Sequence, residues 1–385
     1  MARAEAQMVT GARASLAEDS PFRLMCQASA LIDLMTRRPG IDLIEPSMRN
    51  VSDGDVFETF VTSGIRETAA LAMAVAVMHP DLFVAARIRA ALKDVSIPNA
   101  PRWLGSMDRI VVTDAMVQAD PFGDGEIVVM SWRWPGSVVT GGPTASAMVH
   151  VEHTLGTVVK TAMVVPEPMA DLREMWEQSE GLRVTRQSIG LADARSRVID
   201  AIANGDARAW HRETETWPSC RALIEWMVRQ APSGGTGYLR APWSASDRED
   251  LLAGFLASSE AAELATARGV DLDLVYDLAD PLVWFGCDYG VGDPLRWSPD
   301  SVYLVMVSWF PQMVLGLDVE EFEHLPDVFA AFVRYTHGRR RVQPELTDET
   351  LEAVERWRHE FVRLMELASA DSEHDDFDDE PDEPA

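Results

Sequence analysis

The sequence predicts an α+β protein: N-terminal helices packed on an antiparallel β-meander, followed by an all-helical C-terminal half and a disordered acidic tail. Three observations carry this expectation. Apolar residues recur with a helical period up to about residue 105, alternate with a period of two from Met107 to Val165, and are helical again beyond Val184. The alternating runs are separated by PFGDG, PGS, GGPT and TLGT, short segments suited to tight turns. The last stretch, 369–385, holds nine carboxylates and no lysine or arginine. The expected divisions are a flexible lead over 1–19, an α+β domain over 20–183, a helical domain over 184–368 and the tail over 369–385.

Taken in order, Ser20 and Pro21 start an amphipathic helix that Pro39 and Gly40 end. Helices over 53–60, 67–78 and 81–93 follow, the last two divided by His79 and Pro80. Strands are expected over 109–118, 126–134, 137–140, 146–153 and 158–165, and a helix over 170–179. In the second half a helix over 193–203 stops at Asn204 and Gly205, and another spans 218–230. Ser246 with Glu249 forms a capping box for the next, and a short helix ends at Gly269. Ser298, Pro299 and Asp300 open a helix that Pro311 ends at Phe310. Helices over 326–336, closed by His337 and Gly338, and 348–367, capped by Thr347, complete the chain.

Composition bounds the function. A length of 385 residues with 47% hydrophobic content suffices for about two cores. A formal charge of −28, about −19 of it outside the tail, opposes binding to nucleic-acid backbones and anionic membranes. Cys26, Cys220 and Cys287 are too far apart for a CxxC metal pair and odd in number, so a reducing cytoplasm is expected. The first twenty residues lack the apolar core of a signal peptide.

Residues 280–310 form the stretch around which the second half is organised. Trp284, Phe285, Tyr289, Trp297, Tyr303, Trp309 and Phe310 must find burial beside a bend at Gly290 and Gly292. Trp284, Asp288, Tyr289, Asp293, Arg296 and Trp297 are binding candidates there, as polar groups framed by aromatics. The ordinary alternative is that Asp288, Asp293 and Arg296 brace a buried loop whose backbone needs partners.

The catalytic candidates are His150, Glu152 and His211. Met148, His150 and Glu152 share one face of a strand, where an imidazole and a carboxylate could hold a metal or act as base and orienting acid. Thr161 and Lys160 lie across the hairpin, but no third ligand is evident. His150 and Glu152 also match half of a zinc deaminase pattern, whose cysteine half is absent around Cys220. His211, Glu213 and Glu215 alternate before Trp217, which suits a metal site or a solvated connection equally. Asp273, Asp277 and Asp280 read as the wet stripe of a helix, and Arg334 with Arg339, Arg340 and Arg341 as groups offsetting a helix dipole. Signatures such as HExxH, GxSxG and the Walker loop are missing.

The segments VEHTLGTVVKTAMVVPEP (151–168), TWPSCRALIEWMVR (216–229) and LVWFGCDYGVGDPLRWSP (282–299), in that order, resemble a family of hypothetical proteins of high-GC actinobacteria. The resemblance implies that the two halves belong together as one protein of a bacterial cytoplasm. No activity is established for that family, so it implies no site residue.

The expected function is therefore that of a non-enzymatic protein-binding or regulatory protein, with no cofactor and a partner of neutral or basic surface. A metal-dependent hydrolase or other small-molecule enzyme is the alternative, with His150 and Glu152 meeting His211, Asp288 or Asp293. A third reading is a polyanion mimic acting on a nucleic-acid-binding protein.

Overall fold

A computed structural model describes residues 2–36, 53–136, 142–154, 156–178, 183–207, 216–238, 242–313 and 319–375. It divides into two units, the first Met1–Ala119, Glu126–Val151 and Val158–Leu239, the second Asp120–Gly125, Glu152–Thr157 and Arg240–Ala385. The boundary expected at residue 184 thus moves downstream, because two helices beyond it join the core of the first unit.

That unit is built on a five-stranded antiparallel sheet in the order β4-β3-β2-β1-β5. The strands are β1 (Val111–Ala119), β2 (Gly125–Arg133), β3 (Thr144–Glu152), β4 (Val158–Val165) and β5 (Thr185–Ser188). The alternation that betrays the first four also assigns their faces. Val128, Met130 and Trp132 of β2, with Ala145, Ala147, Val149 and Val151 of β3, join the main core. Their alternates Val129 and Met148 meet a small cluster with Met169 and Leu172 of α6 (Met169–Glu177). The expected strand over 137–140 lies outside the described residues.

Strand β5 was not expected. TRQS is exposed at every position and has no apolar alternation, so only backbone pairing with β1 holds it, from Met116↔Ser188 to Ala119↔Thr185.

The helices of this unit are α1 (Ala2–Leu16), α2 (Phe22–Thr36), α3 (Asp53–Thr62), α4 (Arg66–Met78), α5 (Leu82–Leu92), α7 (Leu191–Asp206) and α8 (Thr216–Arg229), besides α6. Helix α4 packs against α1, α2, α3, α5 and α8, and both α7 and α8 pack on β4. Helix α1 replaces the flexible lead: Ala12, Ser15 and Leu16 are buried. Its inner stripe is made of small residues, which is why periodicity missed it. Helix α7 also runs through Asn204 and Gly205 to Asp206, so that glycine does not end it.

The second unit is helical. It comprises α9 (Ala245–Leu256), α10 (Ser259–Arg268), α11 (Leu272–Trp284), α12 (Pro299–Tyr303), α13 (Phe310–Met313), α14 (Val319–Phe322), α15 (Leu325–Arg340) and α16 (Pro344–Asp375). The capping box of α9 is Ser244 with Asp247, two residues before the expected pair. Gly269 closes α10 in the left-handed region, φ 69°, as expected.

Two single π turns, Phe285–Tyr289 and Leu304–Trp309, interrupt the aromatic stretch. The second explains why Pro311 does not end the helix. A widened turn just upstream removes the carbonyl that the ring would strike, so α13 continues through the proline. Helices α15 and α16 both outrun their expected ends. Gly338 lies inside α15, and α16 includes the start of the acidic stretch, while 376–385 lie outside the described residues. Among the described residues no helix is long and apolar enough to cross a membrane.

Burial pushes the thiols of Cys26 and Cys220 up to about 12, and that of Cys287 up to about 11. Thiolates are the reactive species, so native alkylation should be at least about a hundredfold slower than for an unperturbed cysteine. A disulfide-exchange reagent followed by absorbance, before and after denaturant, checks this: all three should react only on unfolding.

Candidate functional site

The sequence candidates are not gathered into one cleft by the described structure. His150 is half-buried on the α6 face of β3. Glu152 is 8% exposed, and its Oε1 accepts hydrogen bonds from the Thr154 hydroxyl at 2.6 Å and the Thr154 N–H at 3.3 Å. It thereby steadies the turn that follows its own strand. His211 lies outside the described residues, and among those described no group of three His, Cys, Asp or Glu is placed to hold a metal ion.

The aromatic candidates form a packed centre. Trp297 is 2% exposed, edge-on to Phe329 at 4.9 Å and stacked with Phe285 at 6.2 Å. Trp284 and Tyr289 lie on its outer side, 5.1 Å apart. The polar candidates are turned to internal partners. Both oxygens of Asp288 accept from Arg248 at 2.7 Å, and Asp293 accepts the Leu295 N–H at 3.1 Å and pairs with Arg340.

Arg296 leads to a group that sequence reasoning missed. In the second unit, the loop Asp120–Gly125 lies beside it: a Cβ on Gly123, φ +73°, would collide with the guanidinium. Asp120 fixes this loop by accepting the N–H groups of Gly123 at 2.7 Å and Gly125 at 2.6 Å. Its neighbour Asp124 accepts the His153 N–H through its backbone carbonyl at 2.6 Å. Burial pushes the Asp124 carboxyl up to about 7; a hydrogen bond with Ser298 and the charge of Arg296 act against the rise, and Asp120 and Asp300 add to it. This centre can keep or release a proton at neutral pH, but its recorded partners are groups of the protein itself. Residues 120–125 read as an ordinary turn, and only proximity to 296–300 makes Asp124 unusual.

An outward-facing surface lies elsewhere, in the first unit. Helices α2 and α8 pack closely, with the Ser29 hydroxyl accepting the Leu223 N–H at 3.2 Å. Along their seam runs a groove of about 320 Å³, lined by Ile32, Asp33 and Thr36 of α2, Pro80, and Pro218, Arg221, Ala222 and Glu225 of α8. Beside it stand the three most exposed large apolar side chains among the described residues: Leu82 at 78%, Phe83 at 71% and Leu34 at 67%. Leu34 adjoins Asp33 in the chain, and Leu82 and Phe83 follow Pro80 closely.

Local chemistry explains that exposure. Asp81 caps α5, accepting the Phe83 N–H at 2.7 Å, and Ala85 with Ile88 forms the inner stripe, leaving Leu82 and Phe83 off it. The groove's cation is engaged: Arg221 donates to Asp206 at 2.7 and 2.9 Å and to Glu225 at 2.7 Å. No protein-family model, curated protein or solved structure matches the chain.

Two measurements test the Asp124 centre. The folded pKa of Asp124 exceeds its unfolded value of about 3.9, so the fold retains a proton that the unfolded chain releases. Its stabilising contribution should be lost as pH rises from about 4 through about 7. His337 has the opposite slope. Burial holds it below the usual imidazole value, so its contribution is lost as pH falls below about 6.5. Urea unfolding across pH should show the first slope abolished in Asp124→Asn and the second in His337→Gln. Gly123→Ala should cost about 1–3 kcal/mol in the same assay, from the positive φ and the encounter with Arg296.

Proposed function

We propose that this is a non-enzymatic protein-binding or regulatory protein whose partner, neutral or basic in surface, docks on the face formed by α2, α8 and the start of α5. The observation that carries the reading is the convergence of Leu34, Leu82 and Phe83 on one groove. Scattered exposed apolar residues need no explanation, whereas large ones grouped at a groove mark interaction surfaces. Burial of Leu82 and Phe83 would each contribute about 1.5–3 kcal/mol to a complex, enough to make them anchors.

Charge supports the same partner. Asp33, Asp81, Asp206 and Glu225 surround the groove against Arg221 and Arg229, on a chain of formal charge −28. The metal-hydrolase alternative finds less support, since His150 and Glu152 are joined by no third ligand among the described residues.

Replacing Phe83 with a photo-crosslinking phenylalanine in living cells tests the proposal. A discrete adduct should form on irradiation and disappear when Leu82→Ser is added. The same probe at Met175, 52% exposed on α6, serves as the off-face control. Identical products from both positions would count decisively against this face.

A further inference from the structure

We infer that the element docking in the α2–α8 groove is an amphipathic α-helix with lysine or arginine beside its apolar stripe, an inference that rests on the protein-binding reading. Backbone chemistry carries the first half. The groove is walled by two helices, whose main-chain groups are bonded within themselves, and it presents no strand edge. An extended segment laid there would leave its own N–H and C=O groups facing apolar walls without partners. A helix satisfies them internally.

The dimensions agree. Lining residues recur at helical intervals, Ile32 and Thr36 on one wall, Pro218, Ala222 and Glu225 on the other. Residues 218–225 span about 10 Å of helix, or two turns. Ala222 extends no further than its Cβ, so a large partner side chain has room to enter between the walls. Leu34, Leu82 and Phe83 stand where the flanks of such a helix would cover them.

The second half follows from charge. Arg221 is held by Asp206 and Glu225, so the groove offers no spare cation to an acidic occupant. Its carboxylates favour lysine or arginine at the edge of the incoming stripe. The same excess opposes a second copy of this chain, since two acidic faces would meet.

The test uses the full chain and three labelled peptides of about 15 residues, long enough to form helix on binding. One has an amphipathic leucine-lysine pattern, one has glutamate for every lysine, and one is the leucine-lysine peptide broken by a central proline. Fluorescence anisotropy at physiological ionic strength should show saturable one-to-one binding of the first. Affinity should fall at least about tenfold for each of the other two peptides. It should fall at least about tenfold for the first peptide with Leu82→Ser/Phe83→Ser or Asp33→Lys, and stay unchanged with Met175→Ser. Circular dichroism of each variant should match the parent, separating lost contacts from lost folding.

If the glutamate or proline-broken peptide binds as tightly, yet the face variants still abolish binding, the helix-and-charge inference is wrong and the protein-binding face survives. Binding of the leucine-lysine peptide that ignores all the face variants would be general attraction to an acidic chain and would overturn both. Sedimentation showing a dimer that Leu82→Ser/Phe83→Ser dissociates would assign the face to a second copy and also overturn the inference.

Discussion

The second unit depends on keeping one indole buried. Trp297 sits on a loop between a π turn and α12, where no helix or sheet satisfies its backbone, and burying such a loop unaided would be costly. Nε2 of His337, near the end of α15, lies 3.3 Å from the Trp297 N and 3.1 Å from its O, while Nδ1 lies 3.0 Å from the Thr347 hydroxyl. The indole N–H donates to the Pro294 carbonyl at 3.1 Å. With these bonds made, the ring packs among Phe285, Phe329 and Phe332, and α11, α15 and the loop acquire a common centre. The imidazole is kept neutral for the same reason, because a charged ring there would be desolvated.

Around that centre the polar groups act as braces. The Asp288–Arg248 and Asp293–Arg340 pairs hold the two ends of the glycine-bearing bend 288–293, and the loop Asp120–Gly125 meets Arg296 through a glycine that leaves room for it. These contacts compete with any ligand for the same side chains. An aromatic, polar stretch that looks like a binding site in sequence is therefore largely occupied with itself, and the outward chemistry falls to the first unit.

In the first unit the constraint is ordinary two-layer packing, and the departure from it is informative. The sheet's alternation gives one face to the large helical core and the other to α6, which consumes nearly every strand side chain. Helices α2 and α8 approach closely through Ala28, Ser29 and Ala222. Close approach at small residues leaves a seam, and side chains beside a seam are free to serve a partner.

The sequence by itself determined the fold class. Alternation over 109–165 and helical spacing on either side appear as four paired strands and two sets of helices, and the face shared by Met148, His150 and Glu152 is as expected, because each pattern reports a local period. What escaped it lacks an apolar period. Strand β5 is held by backbone pairing, α1 hides its stripe in small residues, and α13 passes Pro311 because the preceding turn is widened. Of the candidate surface, sequence shows Leu34, Leu82 and Phe83 only as three apolar residues among many. Only tertiary packing decided that they stay exposed beside one groove, and that Asp124 and Arg296 meet, since burial and charge proximity depend on what distant segments of chain bring alongside.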